Sequence, residues 1–294
     1  MNLPQLVQAS AQALTDAQVV FGHGTTNAHD EAAWLVLWRL GLPLDTNTAD
    51  ASHQTPLPEQ QIAEVQALIA RRIATRKPAA YLTQEAWLQG VSFYIDERAI
   101  VPRSLIAEVL ADGSIDPWLH PDTHRVLDLC TGNGSLAVLA ALAFPDIAVE
   151  GLDISKDALE VARINVARHG LEQRITLRES NGLAQATGAF DLILCNPPYV
   201  NAQSMKQLPA EFKAEPELAL AGGADGMDFV RQLLLDAPKH MSEHALLVLE
   251  IGHERAYFEA AFPHLDALWL STSAGDDQVL LLSRQAITEG TPHP

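Results

Sequence analysis

The sequence predicts a doubly wound, Rossmann-like α/β fold behind a small all-α domain, and three observations predict it. From Arg125 onward, short apolar runs alternate with amphipathic stretches of helical length, the pattern of a sheet covered by helices on both faces. A glycine loop, Cys130-Thr131-Gly132-Asn133-Gly134, directly follows the first of these runs, with an acid, Asp153, about twenty residues further on. The run Asp191-Leu192-Ile193-Leu194-Cys195 stops at Asn196, because Pro197 and Pro198 cannot donate ladder hydrogen bonds. An open α/β sheet binds its ligands just beyond such strand ends.

The elements follow in order. Residues 1–76 read as helical: Leu6, Leu14 and Val19 are loosely spaced at a helical period, Asp30–Leu40 is strongly apolar, and Glu59–Ile73 is amphipathic with Pro58 at its start. Gly22-His23-Gly24-Thr25-Thr26-Asn27 is a turn-rich loop in which Asn27 or Asp30 can cap the next helix, and which is a candidate patch for recognising a partner. His23 and His29 have no third ligand at useful spacing, so no metal site is expected. Trp87–Asp96, with Gly90 at its turn, reads as a β-hairpin bridging two domains. Arg103, after it, either contacts substrate or pairs with Glu108, expected in the second turn of the helix that follows.

Strands are then expected at Val126–Leu129, Ala148–Leu152, Ile175–Leu177, Asp191–Cys195 and Ala245–Ile251. Helices are expected at Ser135–Ala143, Lys156–Arg168, Phe229–His240 and Glu254–Phe262. Leu268–Leu270 and Val279–Leu282 close the chain as a hairpin that adds antiparallel members at one edge. The domains are residues 1–85 (helical), 86–104 (hairpin linker) and 105–294 (α/β).

Composition narrows the function. The chain has 294 residues, 48% of them hydrophobic, enough to bury a sizeable core. No apolar run reaches the length of a membrane span, and Met1-Asn2-Leu3-Pro4-Gln5 opens no signal peptide. Cys130 and Cys195 lie in apolar strand patterns and read as reduced core thiols of a cytoplasmic protein. The net charge is -18, with 19 Lys and Arg against 37 acids and no concentrated basic patch. That argues against direct nucleic-acid binding and favours a basic protein partner.

Asn196-Pro197-Pro198-Tyr199 carries the chemistry. The Asn196 side-chain oxygen and the Pro197 carbonyl can hold a planar NH2 group, and Tyr199 can cover its flat face. This arrangement suits methyl transfer to an amide or an exocyclic amine. Gly132, Gly134 and Ala137 also match a dinucleotide fingerprint formally. Asp128, at the end of the first strand, would repel a pyrophosphate but suits the ammonium of S-adenosyl-L-methionine. Asp153 would hold ribose hydroxyls in either case. His240-Met-Ser-Glu-His244 spells a zinc-peptidase motif that needs a continuous helix, which the expected strand at Ala245 denies it.

On Asp128–Gly134, Asp153, Asn196–Tyr199, Glu215-Pro-Glu-Leu-Ala-Leu220 and Gly223-Ala-Asp-Gly226, nearly the whole chain resembles the protein-(glutamine-N5) methyltransferase family. The resemblance implies a class I S-adenosyl-L-methionine-dependent methyltransferase fold, with S-adenosyl-L-homocysteine as product and the helical domain recognising substrate. It places Asn196, Pro197 and Tyr199 in catalysis. It assigns Asp128, Thr131, Gly132, Gly134, Asp153, Ile154, Asn181 and Asn196 to the cofactor, and Arg103, Pro198 and Glu215 to the substrate. Relatives usually have aspartate where this chain has Asn181. Gly22–Asn27, Ala80–Thr83 and Val101–Ser104 resemble the branch acting on the basic large-subunit ribosomal protein uL3, free or in an early assembly intermediate. The branch acting on class-one peptide release factors, an exocyclic-amine nucleic-acid methyltransferase and a non-catalytic S-adenosylmethionine-binding module are the alternatives.

Overall fold

The structure, a computed structural model, describes residues 1–290. The chain divides into two compact units. The first comprises Met1–Ala86 together with Leu208–Glu215, and the second residues 87–207 and 216–290. The eight-residue excursion is a difference from the domain bounds read off the sequence: local pattern placed it in the α/β domain, but its acidic side chains find their cationic partners among the N-terminal helices.

In the first unit, α1 (Leu3–Asp16) begins with a capping box between Asn2 and Gln5. Asn27 caps α2 (Ala28–Leu40) by accepting from the Asp30 amide at 3.0 Å, and Gly41 ends it in the left-handed region. With α3 (Glu59–Thr75) and α4 (Ala79–Thr83) these helices bury Leu6, Leu14, Leu35, Val36, Val65 and Ile69 in one core. The strands β1 (Glu85–Leu88) and β2 (Val91–Tyr94) form the expected hairpin. Gln89 and Gly90 both take positive φ at its turn, as a tight two-residue connection requires.

The second unit contains α5 (Ile106–Ala111), β3 (Arg125–Leu129), α6 (Ser135–Ala143), β4 (Ala148–Asp153), α7 (Lys156–Arg168), β5 (Ile175–Glu179) and β6 (Phe190–Cys195). After β6 come α8 (Ala202–Gln207) and, within the excursion into the first unit, α9 (Ala210–Lys213). Then follow α10 (Asp228–Asp236), β7 (Met241–Glu250), α11 (Arg255–Ala261), β8 (Leu268–Thr272), β9 (Gly275–Ser283) and α12 (Arg284–Gly290). The seven-stranded sheet runs β5-β4-β3-β6-β7-β9-β8. β5 to β7 are mutually parallel in that order, and β9 pairs antiparallel with both β7 and β8.

Successive residues of each central strand enter opposite cores: Val126, Leu192, Leu194 and Val248 pack on one face, Leu127, Ile193, Leu247 and Leu249 on the other. Burial on both faces is why these strands read as continuous apolar runs instead of alternating ones. The strand order reverses at β3, whose neighbours are β4 and β6, and that is the crevice where such sheets bind ligands.

Three local expectations change. Helix α10 stops at Asp236, short of His240, because Pro238 in the 3-10 turn that follows offers no amide. Strand β7 begins at Met241, earlier than the apolar run, because Met241 pairs with Phe190. His244 therefore lies in a strand, its ring stacked on His120, and no helix presents the two histidines of the zinc-peptidase motif. Glu108 falls in the first turn of α5, not the second, and accepts from the Ser273 amide and hydroxyl at 2.7 and 2.6 Å.

Candidate active site

The carboxyl ends of β3, β4, β6 and β7 are aligned by register, with Leu129 beside both Leu152 and Cys195, and Cys195 beside Leu249. Asp128, Asp153 and Asn196 are therefore gathered at the carboxyl ends of the strands in the second unit.

Asp128 is fully buried in β3. Its Oδ2 accepts from the Thr131 hydroxyl and from the Ala137 amide in the first turn of α6, the latter at 2.9 Å. Its Oδ1 has no hydrogen-bond partner among the described residues. Burial pushes the carboxyl up to about 7, against the lowering effect of those two hydrogen bonds. A buried acceptor without a donor is rare, and here it suits a cationic donor from a ligand.

The glycine loop bends sharply from β3 into α6, with Gly132 and Gly134 at φ +54° and +80°. A Cβ on Gly134 would lie 3.0 Å from that of Ala162, so glycine there allows the close approach of α6 and α7. Asp153, at the end of β4, accepts from the Gly132 amide and the Ser155 amide, each at 2.8 Å. Burial raises its pKa, against the lowering effect of hydrogen bonds from the Ser155, Gly132 and Ile154 amides, and its carboxylate oxygens suit ribose hydroxyls as donors. Ile154 follows with its side chain 48% exposed, an apolar surface beside the acid. Asn181 is exposed after β5, its carbonyl accepting from the Ala184 amide. Buried Asp128 and half-buried Asp153, beside a loop whose own residues 130–134 include no Lys or Arg, fit the amino and hydroxyl groups of S-adenosylmethionine, and not a pyrophosphate.

Asn196 and Tyr199 are half-buried beyond β6, and Pro197 is buried. Tyr199 is held through both backbone and ring. The Val200 amide donates to the Leu220 carbonyl, the Gly222 amide to the Val200 carbonyl, and Val200 bridges Ala221. A Cβ on Gly226 would lie 2.2 Å from the Tyr199 carbonyl oxygen and one on Gly222 2.7 Å from its Cα. The glycines of that loop are thus needed for its close passage over the motif. The Tyr199 hydroxyl lies 3.4 Å from Glu250 Oε1.

Of the remaining site residues, Arg103 is half-buried, donates to the Val101 carbonyl and attracts the Glu250 carboxylate. Pro198 is half-buried beside Tyr199. Glu215 lies in the first unit, buried, with Oε2 3.2 Å from His23 Nε2. His23 is only 1% exposed and packs on the Phe212 ring, so the loop Gly22–Asn27 turns its histidine inward.

Sequence reading missed Asn165 and Glu250. Asn165 is fully buried in α7; its side chain accepts from the Tyr94 amide and donates to the carbonyls of Tyr94 and Asn133, tying the hairpin to the glycine loop. Its one signal in the sequence was an amide on the apolar face of an otherwise amphipathic helix.

Sheet order, glycine loop and paired acids together define a Rossmann-like S-adenosylmethionine-dependent methyltransferase, and the methyltransferase small domain family model matches residues 114–256. The ribosomal protein uL3 glutamine methyltransferase of Bordetella pertussis is 52% identical over 97% of this chain and 96% of its own. The enzymes of that name from Neisseria meningitidis serogroup B and Bradyrhizobium diazoefficiens are 48% and 44% identical, over 97% and 96% of this chain and 94% and 91% of theirs. Among solved structures, the hMettl16 catalytic domain in complex with a MAT2A 3'UTR hairpin has a TM-score of 0.53 at 12% identity, over 80% of this chain and 85% of that one, a likeness of fold. The chain belongs to the ribosomal protein uL3 glutamine methyltransferase family.

Proposed function

We propose that this protein transfers a methyl group from S-adenosyl-L-methionine to the side-chain amide nitrogen of a glutamine in ribosomal protein uL3. The observation that carries the reading is similarity to enzymes of that name along 97% of the chain, with Asn196-Pro-Pro-Tyr199 intact at the end of β6.

S-adenosylmethionine supplies an electrophilic methyl on a sulfonium, and S-adenosyl-L-homocysteine is the product. Asp128 Oδ1 would take its ammonium and Asp153 its ribose hydroxyls, Thr131, Gly132 and Gly134 would shape the loop that holds it, and Ile154 and Asn181 would hold the adenine. Asn196 Oδ1 and the Pro197 carbonyl accept the two amide hydrogens, and Tyr199 lies on the amide plane. An amide nitrogen is a poor nucleophile. Acceptors that favour its partial pyramidalisation help the transition state more than the ground state, and fixed orientation supplies most of the barrier reduction. The cationic N-methylated amide formed with S-adenosyl-L-homocysteine is a strong acid and gives its proton to water, so no strong base is required. Arg103 and Pro198 contact the substrate chain.

The net charge of -18 complements a basic ribosomal protein, met free or in an early assembly intermediate in the cytoplasm, before its glutamine is enclosed. No helix is long and apolar enough to cross a membrane among the described residues. Labelled S-adenosylmethionine offered with purified uL3 and, separately, with a class-one release factor tests the assignment, the product being mapped by mass spectrometry. Label on one glutamine of uL3 is expected. Label on the release factor alone would keep the chemistry and overturn the substrate, and label on neither would leave a binding module.

Affinity for S-adenosylmethionine should depend on pH through Asp128. Its carboxyl sits at about 7 without ligand, and an ammonium partner favours the charged form, so binding below that pH must expel a proton. Binding at pH 6 should be about tenfold weaker than at pH 8, with proton release seen by calorimetry in buffers of different ionisation enthalpy. Because the folded-state pKa is raised, this group's contribution to the stability of the free protein is present below about pH 4 and lost as pH rises through about 7. Affinity unchanged across that range would remove Asp128 from the ammonium site.

A further inference from the structure

Glu250 is a buried carboxylate, 3% exposed, for which the chemistry above has no use. Burying a carboxylate is costly unless its oxygens are satisfied, and burial does raise its pKa. Apolar residues fill the preceding positions of the strand, from Ala245 to Leu249. A buried acid at the end of such a strand therefore needs an explanation.

Its partners supply one. Oε2 accepts from the Ser104 hydroxyl at 2.6 Å and from the Leu105 amide at 2.9 Å, while the Tyr199 hydroxyl lies 3.4 Å from Oε1. Ser104 Oγ in turn accepts from the Ile106 amide at 3.2 Å, so the chain at Ser104–Ile106 folds around the carboxylate. The backbone beneath is fixed: Glu250 pairs with Val279 of β9, and the Ile251 amide donates to the Gln278 carbonyl. Register with β6 brings Glu250 alongside the start of the Asn196 motif, since the residues just before each, Leu249 and Cys195, are paired. Two residues on, Gly252 is at φ +53°, and a Cβ there would lie 2.5 Å from Tyr199 Cε2. The tyrosine ring thus rests on Gly252 with its tip directed at Glu250.

We infer that Glu250 is a positioning residue, joining the Val101–Ser104 segment and Tyr199 into one unit that presents the acceptor amide to the methyl donor. The inference rests on the glutamine-methylation reading. Glu250 acts through other residues: it orients Tyr199, and it anchors the turn that carries Arg103. Replacing its carboxyl should therefore reduce turnover and leave donor binding intact.

The test is a double-mutant cycle on the full chain, with Glu250→Gln, Tyr199→Phe and the pair, read as kcat and KM for uL3 and as Kd for S-adenosylmethionine. Glu250→Gln should lower kcat about thirtyfold with Kd for the donor within about twofold of the parent, and the pair should be no slower than the worse single variant. Independent, multiplying effects, a kcat within about twofold of the parent, or a proportionate loss of donor affinity would overturn the role. If the parent methylates no protein, the functional reading fails and the positioning role is read by NMR instead. The chain has 4 tyrosines, so Tyr199→Phe assigns one ring resonance by its disappearance. Glu250→Gln should shift that resonance, and an unmoved one would overturn the inference. Glu250→Asp repeats both readings should the glutamine variant fold poorly.

Discussion

Asn196→Ala is expected to lower kcat/KM for uL3 methylation a hundredfold or more, about 3 kcal/mol of transition-state stabilisation. The substitution removes the side-chain acceptor and leaves the Pro197 carbonyl as the single remaining hold on the amide. The amide is then free to rotate, and a misaligned nitrogen lone pair forfeits most of what positioning supplies. The backbone has little reason to move. Cys195, just before, is clamped between Leu129 and Leu249, and Pro197 and Pro198 restrict φ just after. Thermal stability should therefore stay close to the parent's, which separates a lost contact from a lost fold. Affinity for S-adenosylmethionine should fall less than turnover does. Activity within tenfold of the parent would refute the role given to Asn196.

The second large effect is on stability and lies in the helical unit. Arg72, fully buried on α3, holds Glu31 Oε1 with its Nε at 2.9 Å, donates to the Val20 carbonyl at 3.2 Å and lies 3.8 Å from Glu211 Oε1. Glu211 also accepts from the Val20 amide and from Arg76, each at 3.2 Å. Arg72→Ala removes the central cation and leaves two buried carboxylates facing each other's field. Breaking a buried pair from one side costs about 3–5 kcal/mol, most of it the burial of the uncompensated charge. Urea denaturation should show that loss. It should shrink on acidification, because burial already raises the pKa of Glu31, more than Arg72 and the hydrogen bonds lower it. A raised folded-state pKa contributes stability that is present below the ordinary carboxylate range and lost as pH rises through the folded value, and without Arg72 that value climbs further. Arg72→Leu combined with Glu31→Leu should recover part of the loss, since it removes both charges together. A loss below about 1 kcal/mol at neutral pH would show that solvent reaches these groups and screens them.

The sequence alone located the helices Ser135–Ala143 and Lys156–Arg168 at the bounds the structure shows, and the sheet strands to within a few residues. Local physics sets those features: the glycine loop, the caps and the proline stop act over a few residues, and apolar periodicity is written into consecutive positions. The Asn196 motif and the acids Asp128 and Asp153 were legible for the same reason, since each sits at a strand end that its own neighbours define. The tertiary structure decided who meets whom across the fold. Ser104 and Glu250 are 146 residues apart, and Arg76 and Glu211 135 apart. Strand register and helix packing bring such pairs together, and no spacing in the sequence encodes either. The same holds for Leu208–Glu215, assigned by sequence order to the α/β domain, which joins the helical unit because Glu211 and Glu215 find Arg72, Arg76 and His23 there. A buried charge goes where a buried partner is, and only the folded chain places the partner.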